Sequence, residues 1–168
     1  FVKKNISVHV IYKAYKIKLN NEVIEVNRQS SDPKLVGDEP LLASGTATTW
    51  LCKNRKAGIK KAILNGAKLI LLDDGFQDLT IKKTINILVS NQFQGNGNSK
   101  IIPAGPLREK ISTALNRSDC LFFYGSKKNC KKLFPYYKKN IFYGKINANI
   151  NKLKIKKNKK IVAFTGIA

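Results

Sequence analysis

Methionine is absent from this sequence of 168 residues, which also contains only one histidine, one tryptophan and three cysteines. Because a translated chain begins with methionine, we expect the sequence to be part of a longer protein, cut at both ends. The cysteines, Cys52, Cys120 and Cys130, are odd in number and widely spaced, which argues against a disulfide framework and a zinc site. Free thiols in a reducing compartment are therefore the expectation.

Long apolar segments are lacking as well. No run reaches the ~18 apolar residues that a membrane-spanning helix needs, so we expect no span within this segment. The hydrophobic fraction of 43% is nevertheless that of a globular domain. It suffices for a buried core.

Acidic residues are scarce, and this scarcity sets the charge of the chain. The sequence has 10 acidic and 32 basic residues, for a formal net charge of +22, and no Asp or Glu follows Asp119. Such a surplus favours contact with anions, namely nucleic acid, anionic lipid head groups or phosphorylated substrates. Lysine supplies nearly all of it and is not interleaved with aromatic residues, so compositional bias is an equal alternative to a binding surface.

Short apolar runs alternate with helical patterns, which predicts an α/β fold with right-handed crossovers. Strands are predicted at residues 7–12, 69–72, 85–89 and 121–124. Helices are predicted from a capping signal at Gly37–Pro40 to about Thr46, from Asn54 to Leu64, and from Pro106 onward. Residues 20–34 are predicted to be a polar loop. The run 69–72 is apolar on both faces, which predicts a strand buried on both faces in a parallel sheet.

The chain changes character after residue 125, where lysines accumulate and carboxylates are missing. We interpret residues 126–160 as a basic connecting segment. Residues 161–168 are predicted to begin a second α/β lobe with another strand. Residues 1–125 would then form the main α/β core.

Asp73 and Asp74 directly follow the apolar run 69–72. The carboxyl ends of buried strands are where open α/β sheets bind ligands, and an Asp at this place holds Mg²⁺ in nucleotide-phosphate enzymes. Gly75 permits a turn that brings both carboxylates toward one region. The alternative is an acidic turn that binds no metal.

Asp38 and Glu39 lie at the predicted start of a helix, in the motif GDEP. Carboxylates at this place complement the helix dipole, which is a purely structural role. The functional alternative is a base that accepts the proton of an attacking hydroxyl. The motif by itself favours the structural role.

A glycine-rich loop, containing Gly95-Asn96-Gly97, precedes the motif IPAGPLRE at residues 102–109. Such a loop at a helix start can hold an anion with its backbone N–H groups, and the planar guanidinium of Arg108 suits a phosphate. The alternative is an ordinary loop with a surface arginine. The single histidine, His9, lies in a predicted strand, where we expect a structural role.

Taken together, these motifs resemble those of the tetraacyldisaccharide 4'-kinase family in order and spacing. The motifs that carry the resemblance are GDEPLLAS at 37–44, Thr48-Thr49-Trp50, Arg55 with Ala57-Gly58, DDGFQ at 73–77, GNG at 95–97 and IPAGPLRE at 102–109. The similarity runs from about residue 31 to residue 117 and resumes at 161 with IVAFTGIA, which is similar to the opening of the family's second lobe. DDGFQ and PAGPLRE together are specific to this family.

The resemblance implies a P-loop kinase fold with a mainly parallel sheet flanked by helices. It implies transfer of the γ-phosphate of ATP, with Mg²⁺, to the 4'-hydroxyl of a tetraacyldisaccharide 1-phosphate, the lipid A precursor, to give lipid IVA. It also implies a location at the cytoplasmic face of the bacterial inner membrane, with an anionic membrane surface as a partner. By their motifs, Asp38 matches the catalytic carboxylate, Glu39, Asp73 and Asp74 match metal residues, and Arg55, Asn96 and Arg108 match residues near the sugar phosphate.

Three departures from the family pattern limit what this segment does alone. The phosphate-wrapping motif G-x-x-x-x-G-K-[ST] is absent, and because the family has it upstream of Phe1, no ATP-binding residue is assigned here. Residues 12–16 read Tyr-Lys-Ala-Tyr-Lys where the family has a Ser-Arg-Gly-Tyr-like segment. The histidine that assists the catalytic Asp is expected downstream of Ala168. We therefore expect the chain by itself to be inactive and its parent to be active.

Two other functions remain open at this point. One is another P-loop kinase or ATPase that uses DDGFQ as its metal strand. The other is a basic nucleic-acid-binding protein, which needs exposed aromatic residues beside its lysines, and the candidates for that are Tyr136, Tyr137 and Phe142. The family motifs favour the lipid kinase, for which we expect no nucleic acid and no protein partner.

Overall fold

The computed structural model describes residues 5–15 and 19–145. The chain divides into two compact units, residues 1–84 and residues 85–168. Among the residues described, no helix combines the length and the apolarity that crossing a bilayer requires.

The first unit is a four-stranded sheet with helices on both faces. Its elements are β1 (Val8–Lys13), β2 (Val23–Val26), α1 (Pro33–Val36), α2 (Asp38–Ser44), β3 (Thr48–Cys52), α3 (Arg55–Leu64) and β4 (Leu69–Leu72). The strand order is β2-β3-β1-β4, with β1 parallel to both β3 and β4, and with β2 antiparallel to β3. The carboxyl ends of the three parallel strands therefore meet at one edge of the sheet.

Alternation along β3 explains why helices cover both faces of this sheet. Trp50 and Cys52 pack with Ile11 and with Ala62 of α3 on one face, whereas Leu51 packs on the other with a cluster near α1 and α2. Successive side chains of a strand point to opposite faces, so TTWLC supplies both cores. Helix α3 begins where the side chain of Asn54 accepts a hydrogen bond from the N–H of Lys56, as an N-cap residue does.

The second unit contains a parallel three-stranded sheet. Its elements are β5 (Ile87–Asn91), α4 (Ile111–Arg117), β6 (Cys120–Tyr124), α5 (Lys127–Leu133) and β7 (Asn140–Gly144). The order is β5-β6-β7, and both pairings are parallel. The core of this unit is formed by Leu121, Phe123, Cys130 and Phe134.

The α/β class predicted from the sequence is confirmed, and so is the helix predicted over residues 54–64. The predicted strands correspond to β1, β4, β5 and β6 within a few residues. The parallel pairing predicted for residues 69–72 is confirmed. Burial on both faces is wrong, because Ile70 and Leu72 pack against the core on one face whereas Leu71, on the other face, is 45% exposed.

Several other elements differ from the sequence-based prediction. Residues 23–26, predicted as loop, form β2. The third helix begins at Ile111, not at Pro106, because residues 101 to 107 are tied into a tight loop by hydrogen bonds from Ile102 N to Leu107 O and from Leu107 N to Lys100 O.

The predicted basic connecting segment, residues 126–160, is described as far as residue 145. That part contains β7, which pairs with β6 in the sheet of the second unit, and α5, whose Cys130 lies in the core of that unit. The lysines from 152 to 160 and the predicted second lobe at 161–168 lie outside the described residues. The compact units separate after residue 84, so the predicted core of residues 1–125 includes the first unit and part of the second.

Candidate functional site

The carboxyl edge of the first unit's sheet brings together residues from three parallel strands. Asp73 follows β4, and its backbone N–H donates to the carbonyl of Ile11 in β1 at 3.0 Å, which extends the pairing of these strands by one residue. Arg55 comes three residues after β3, at the start of α3. The side chain of Tyr12, in β1, is half-buried.

The turn after β4 has a backbone that few residue types tolerate. Asp74 adopts a φ of +48°, in the left-handed region that Asp and Asn enter more readily than most residues. A Cβ added to Gly75 would lie 2.6 Å from the Cβ of Leu72, so this buried position requires glycine. The sequence DDG is therefore suited to a sharp turn directly after the strand.

Arg55 is buried, with an exposed fraction of 5%. Its Nη2 donates to the backbone carbonyls of Asp73 at 2.9 Å and Asp74 at 3.2 Å, and its Nη1 forms an ion pair with Asp78 Oδ2 at 3.3 Å. Asp78 also accepts hydrogen bonds from the hydroxyl and the N–H of Thr80. The guanidinium therefore joins α3 to the loop that carries the two adjacent aspartates.

The carboxylates near this edge repel one another. Burial raises the pKa of Asp73, and the negative charges of Glu39 and then Asp74 raise it further, against the opposing charge of Arg55. Burial also raises the pKa of Tyr12, assisted by Asp73 and Glu39. Glu39 and Asp74 therefore each lie within electrostatic range of Asp73, and a cation beside Asp73 would relieve this repulsion. Glu39, Asp73 and Asp74 together form the acidic cluster.

The acidic cluster is not a complete metal site built from protein groups alone. In the described part of the chain, no three His, Cys, Asp or Glu side chains are placed so that they could hold a metal ion together. Mg²⁺ does not require such a cage, because it is usually held by one or two carboxylates together with phosphate oxygens and water. The hard oxygen donors present here fit that ion.

Asp38 is exposed at the first position of α2, directly after Gly37, whose φ is +83°. Within the described residues, no hydrogen bond or ion pair involves its carboxylate. The structure thus brings Glu39 into range of Asp73 and leaves the adjacent Asp38 carboxylate accessible.

Asn96 and Arg108 lie in the second unit, in the long loop between β5 and α4. Asn96 is half-buried, and its backbone carbonyl accepts a hydrogen bond from the backbone N–H of Ser99 at 2.9 Å. Arg108 is exposed. Its neighbour Glu109 pairs with Arg117 at 2.6 Å, which fixes the end of the loop against α4. The helix start predicted at Pro106 does not exist, so the loop does not lead directly into a helix N-terminus there.

Two residues near the acidic cluster were not identified from the sequence. Asp78 pairs with Arg55 from five residues beyond Asp73, and its only sequence signal is a third carboxylate close after DDG. Tyr12 lies at the carboxyl edge because it is the fifth residue of β1. The end of an apolar strand parallel to the one before DDG would have indicated it.

Comparison with known proteins agrees with the motif resemblance. A sequence model of the family described as tetraacyldisaccharide-1-P 4'-kinase matches residues 1–168. The tetraacyldisaccharide 4'-kinase of Dinoroseobacter shibae is 41% identical over 122 residues, which cover 73% of this chain and 36% of that protein. The protein of the same name from Gluconobacter oxydans is 34% identical over 145 residues, covering 86% of this chain and 44% of the relative.

A third relative, the tetraacyldisaccharide 4'-kinase of Parvibaculum lavamentivorans, is 47% identical over 90 residues, or 54% of this chain and 26% of that protein. The chain thus spans less than half the length of each of these relatives. No solved structure matches the chain. Because the family model extends over its whole length, this chain belongs to the tetraacyldisaccharide-1-P 4'-kinase family.

Proposed function

We propose that this sequence is part of an ATP-dependent kinase that transfers the γ-phosphate of ATP to the 4'-hydroxyl of a tetraacyldisaccharide 1-phosphate, the lipid A precursor, giving lipid IVA. The observation that carries the proposal is the acidic cluster at the carboxyl edge of the sheet, in a chain that the family model matches throughout. The name shared by the relatives states the acceptor and its 4'-position. The residues at the edge supply the chemistry that such a transfer needs.

Mg²⁺, bound with ATP, would neutralise charge on the transferring phosphoryl group. Asp73 and Asp74 are the residues proposed to hold it, with Glu39 beside them. Burial raises the pKa of Asp73, and the charges of Glu39 and Asp74 raise it further, which supports this assignment. A P-loop type of kinase core, with residues 1–125 as its central part and residues 161–168 as the start of a second lobe, is part of the same proposal.

Asp38 is proposed as the base that accepts the proton of the attacking hydroxyl. Its carboxylate is exposed at the start of α2, next to Glu39, and it is therefore accessible to a substrate. Glu39 in turn lies within range of Asp73. A base next to the metal-holding residues can act on the hydroxyl that attacks the phosphoryl group.

Asn96 and Arg108 are proposed to contact the sugar phosphate. The exposed guanidinium of Arg108 has the fork geometry that binds a phosphate in a bidentate manner, and Asn96 offers amide donors in the same loop. Arg55 was assigned to the same role from its motif, but its guanidinium contacts protein groups.

The acceptor is a lipid, so the enzyme must meet it at a membrane. We propose the cytoplasmic face of the bacterial inner membrane, where the net charge of +22 would favour an anionic surface. The exposed lysines of α5 and the following loop supply part of this charge in the described region.

The test is a phosphoryl-transfer assay with the full-length gene product that contains this sequence. Purified protein, ATP labelled at the γ-position, Mg²⁺ and tetraacyldisaccharide 1-phosphate should give labelled lipid, and the 4'-deoxy analogue should give none. ATP hydrolysis that does not depend on the lipid would instead support a different ATPase. Retention on duplex DNA without lipid phosphorylation would favour the nucleic-acid-binding alternative.

A further inference from the structure

Arg55 links three parts of the loop that follows β4. A single nitrogen, Nη2, reaches the carbonyl of Asp73 at 2.9 Å and that of Asp74 at 3.2 Å. These carbonyls belong to the peptide groups on the two sides of the Asp74 Cα. The other terminal nitrogen pairs with the carboxylate of Asp78 at 3.3 Å.

The backbone of Asp74 needs this support. A left-handed conformation is unfavourable for most residues with a Cβ, though less so for Asp, and such conformations persist where the surroundings fix them. Arg55 fixes both peptide groups that define the conformation of Asp74, whose φ is +48°. The directions of the Asp73 and Asp74 side chains follow from that backbone.

The burial of Arg55 argues against a direct contact with substrate. The side chain is 4% exposed, and if its guanidinium turned toward a sugar phosphate, it would give up two backbone carbonyls and the carboxylate of Asp78. Asp78 would keep only its hydrogen bonds from Thr80. Separating a charge pair in which one member is buried is unfavourable. The contacts are also of a kind that lysine cannot reproduce, because one ammonium group lacks the planar fork that reaches two carbonyls and a carboxylate together.

We propose that Arg55 is a positioning residue: it holds the Asp73–Asp74 turn in the conformation that presents both carboxylates to a divalent cation, without contacting the sugar phosphate. The identity of the cation and of the lipid acceptor rests on the proposed function. Arg55 therefore acts on the phosphoryl transfer through the acidic cluster. Loss of Arg55 should weaken cation binding much more than it alters recognition of the lipid.

The test compares Arg55→Lys with the unchanged full-length protein in two measurements. Binding of Mn²⁺ alone, followed by the electron paramagnetic resonance signal of the free ion, should weaken roughly tenfold, as is typical when a residue that orients metal ligands is lost. Steady-state kinetics should show a lower kcat, while the KM for tetraacyldisaccharide 1-phosphate stays within about twofold of the original value. Arg28→Lys, an exposed arginine of the same unit, is the matched control and should change neither.

Two outcomes would overturn the proposal. One is a KM for the lipid that rises at least tenfold with unchanged Mn²⁺ affinity, which would mean that Arg55 binds substrate directly. The other is unchanged Mn²⁺ affinity together with unchanged kinetics. A protein that binds Mn²⁺ but never phosphorylates the disaccharide would defeat the proposed function alone, and the Mn²⁺ titrations would still decide the role of Arg55.

If Arg55→Lys does not fold, Asp78→Asn decides the question. This change keeps the guanidinium and an oxygen acceptor but removes the negative charge that holds Nη1 in place. Mn²⁺ affinity should fall by about threefold, a smaller loss than the range typical of ligand-orienting residues, with the KM for the lipid unchanged. An unaltered Mn²⁺ affinity in a folded Asp78→Asn protein contradicts the positioning role.

Discussion

The indole N–H of Trp50 donates a hydrogen bond to Nδ1 of His9 at 3.0 Å, between adjacent strands in the interior of the first unit. An indole nitrogen only donates, so Nδ1 of His9 must be unprotonated and the ring neutral. Ser7 Oγ lies 3.4 Å from the other ring nitrogen. The single histidine of the sequence is thus part of the core, as predicted from its place in a strand.

We expect this pair to make stability depend on pH. Burial lowers the pKa of His9, while the charge of Glu25 acts in the opposite direction. The unfolded chain, with a histidine pKa of about 6.5, therefore takes up a proton before the folded one does. The contribution of His9 is fully present above the unfolded pKa and is lost as the pH falls through about 6.5 and below.

The measurement is the difference in thermal midpoint between the unchanged protein and His9→Asn, at pH 7.5 and at pH 5.5. The unchanged protein should lose more stability on acidification than the variant. Trp50→Phe is the matched control, because it removes the indole N–H donor and leaves the buried imidazole ring of His9 in place. An equal loss in the unchanged protein and in His9→Asn would show that His9 does not titrate in this window.

Asp38→Ala should reduce turnover by roughly 10²–10⁴-fold in the full-length protein, which is the typical contribution of a general base. Nucleotide affinity should stay nearly constant, because the carboxylate is proposed to act on the acceptor hydroxyl. Asp32→Ala is a suitable control, since Asp32 is an exposed carboxylate that caps α1 by accepting from Lys34 N and should alter stability alone. Near-normal turnover of Asp38→Ala would remove Asp38 from the mechanism.

Charge relief at the acidic cluster should separate stability from activity. Burial, followed by the charges of Glu39 and Asp74, raises the pKa of Asp73, and the neutral side chain of Asp73→Asn removes both the cost of burying a charge and the repulsion. We expect the thermal midpoint without divalent cation to rise, because the repulsion is removed. The rise should be only about 1–3 °C, because solvent already screens part of that repulsion. Turnover should fall strongly, and added Mg²⁺ should stabilise the unchanged protein more than the variant.

Asp78→Asn, in the same loop, should change the thermal midpoint in the opposite direction to Asp73→Asn. Hydrogen bonding from the Thr80 side chain, assisted by Arg55, lowers the pKa of Asp78, so its charged form stabilises the fold and the neutral amide should lower the thermal midpoint.

Asp74→Ala should raise the Mg²⁺ concentration needed for half-maximal turnover. A midpoint that falls in Asp73→Asn would contradict the account of repulsion in the acidic cluster.

The site was predictable from sequence to the extent that it depends on local pattern. An apolar run followed by DDG indicated a strand, a turn and two carboxylates at a sheet edge, and the structure has all three. The contacts of Arg55 were not predictable, because its partners are carbonyls 18 and 19 residues away. Backbone acceptors carry no signal in residue identity, so only the tertiary structure reveals them.

The missed elements have a similar explanation. Helix α5, KKNCKKL, buries Cys130 alone, so its sequence lacks the apolar periodicity that indicates a helix. Strand β2 is only four residues long and pairs with β3 at the sheet edge, where a polar neighbourhood is tolerated. Both elements form because the rest of their unit supplies the partners, which sequence patterns of short segments do not record.

Gly58 controls how closely α3, and with it Arg55, approaches the sheet. A Cβ on Gly58 would lie 2.9 Å from Cys52 Sγ and 3.1 Å from Ile11 Cγ2, and both neighbours are fully buried. Gly58→Val should therefore destabilise the protein by about 2 kcal/mol through overpacking and lower the affinity for Mn²⁺. Denaturant unfolding measures the first effect.

Gly45→Val is the control for this change. The nearest atom to a Cβ there is Arg28 Nη1 at 2.7 Å, the tip of an exposed and flexible side chain that can move away. Its cost should stay within about 0.5 kcal/mol. Equal destabilisation by the two changes would show that the close contact of α3 with the sheet is not the cause of the destabilisation by Gly58→Val.

The lysine excess is predicted to bind anionic membranes. Each lysine near such a surface contributes on the order of 1 kcal/mol, and salt screens the attraction. A variant with glutamine in place of the lysines between residues 152 and 160 should co-sediment less with vesicles containing anionic lipid at low salt. The six positions are Lys152, Lys154, Lys156, Lys157, Lys159 and Lys160.

A matched variant distinguishes local binding from bulk charge, because it removes six exposed lysines of the first unit and leaves the same net charge. Its positions are Lys34, Lys56, Lys60, Lys61, Lys68 and Lys82. If the cluster at 152–160 faces the membrane, the first variant loses binding and the second retains it, and added salt releases the unchanged protein. Equal losses in the two variants would mean that the total charge alone attracts the chain to vesicles. Absence of binding by the unchanged protein at low salt would leave compositional bias as the origin of the lysines.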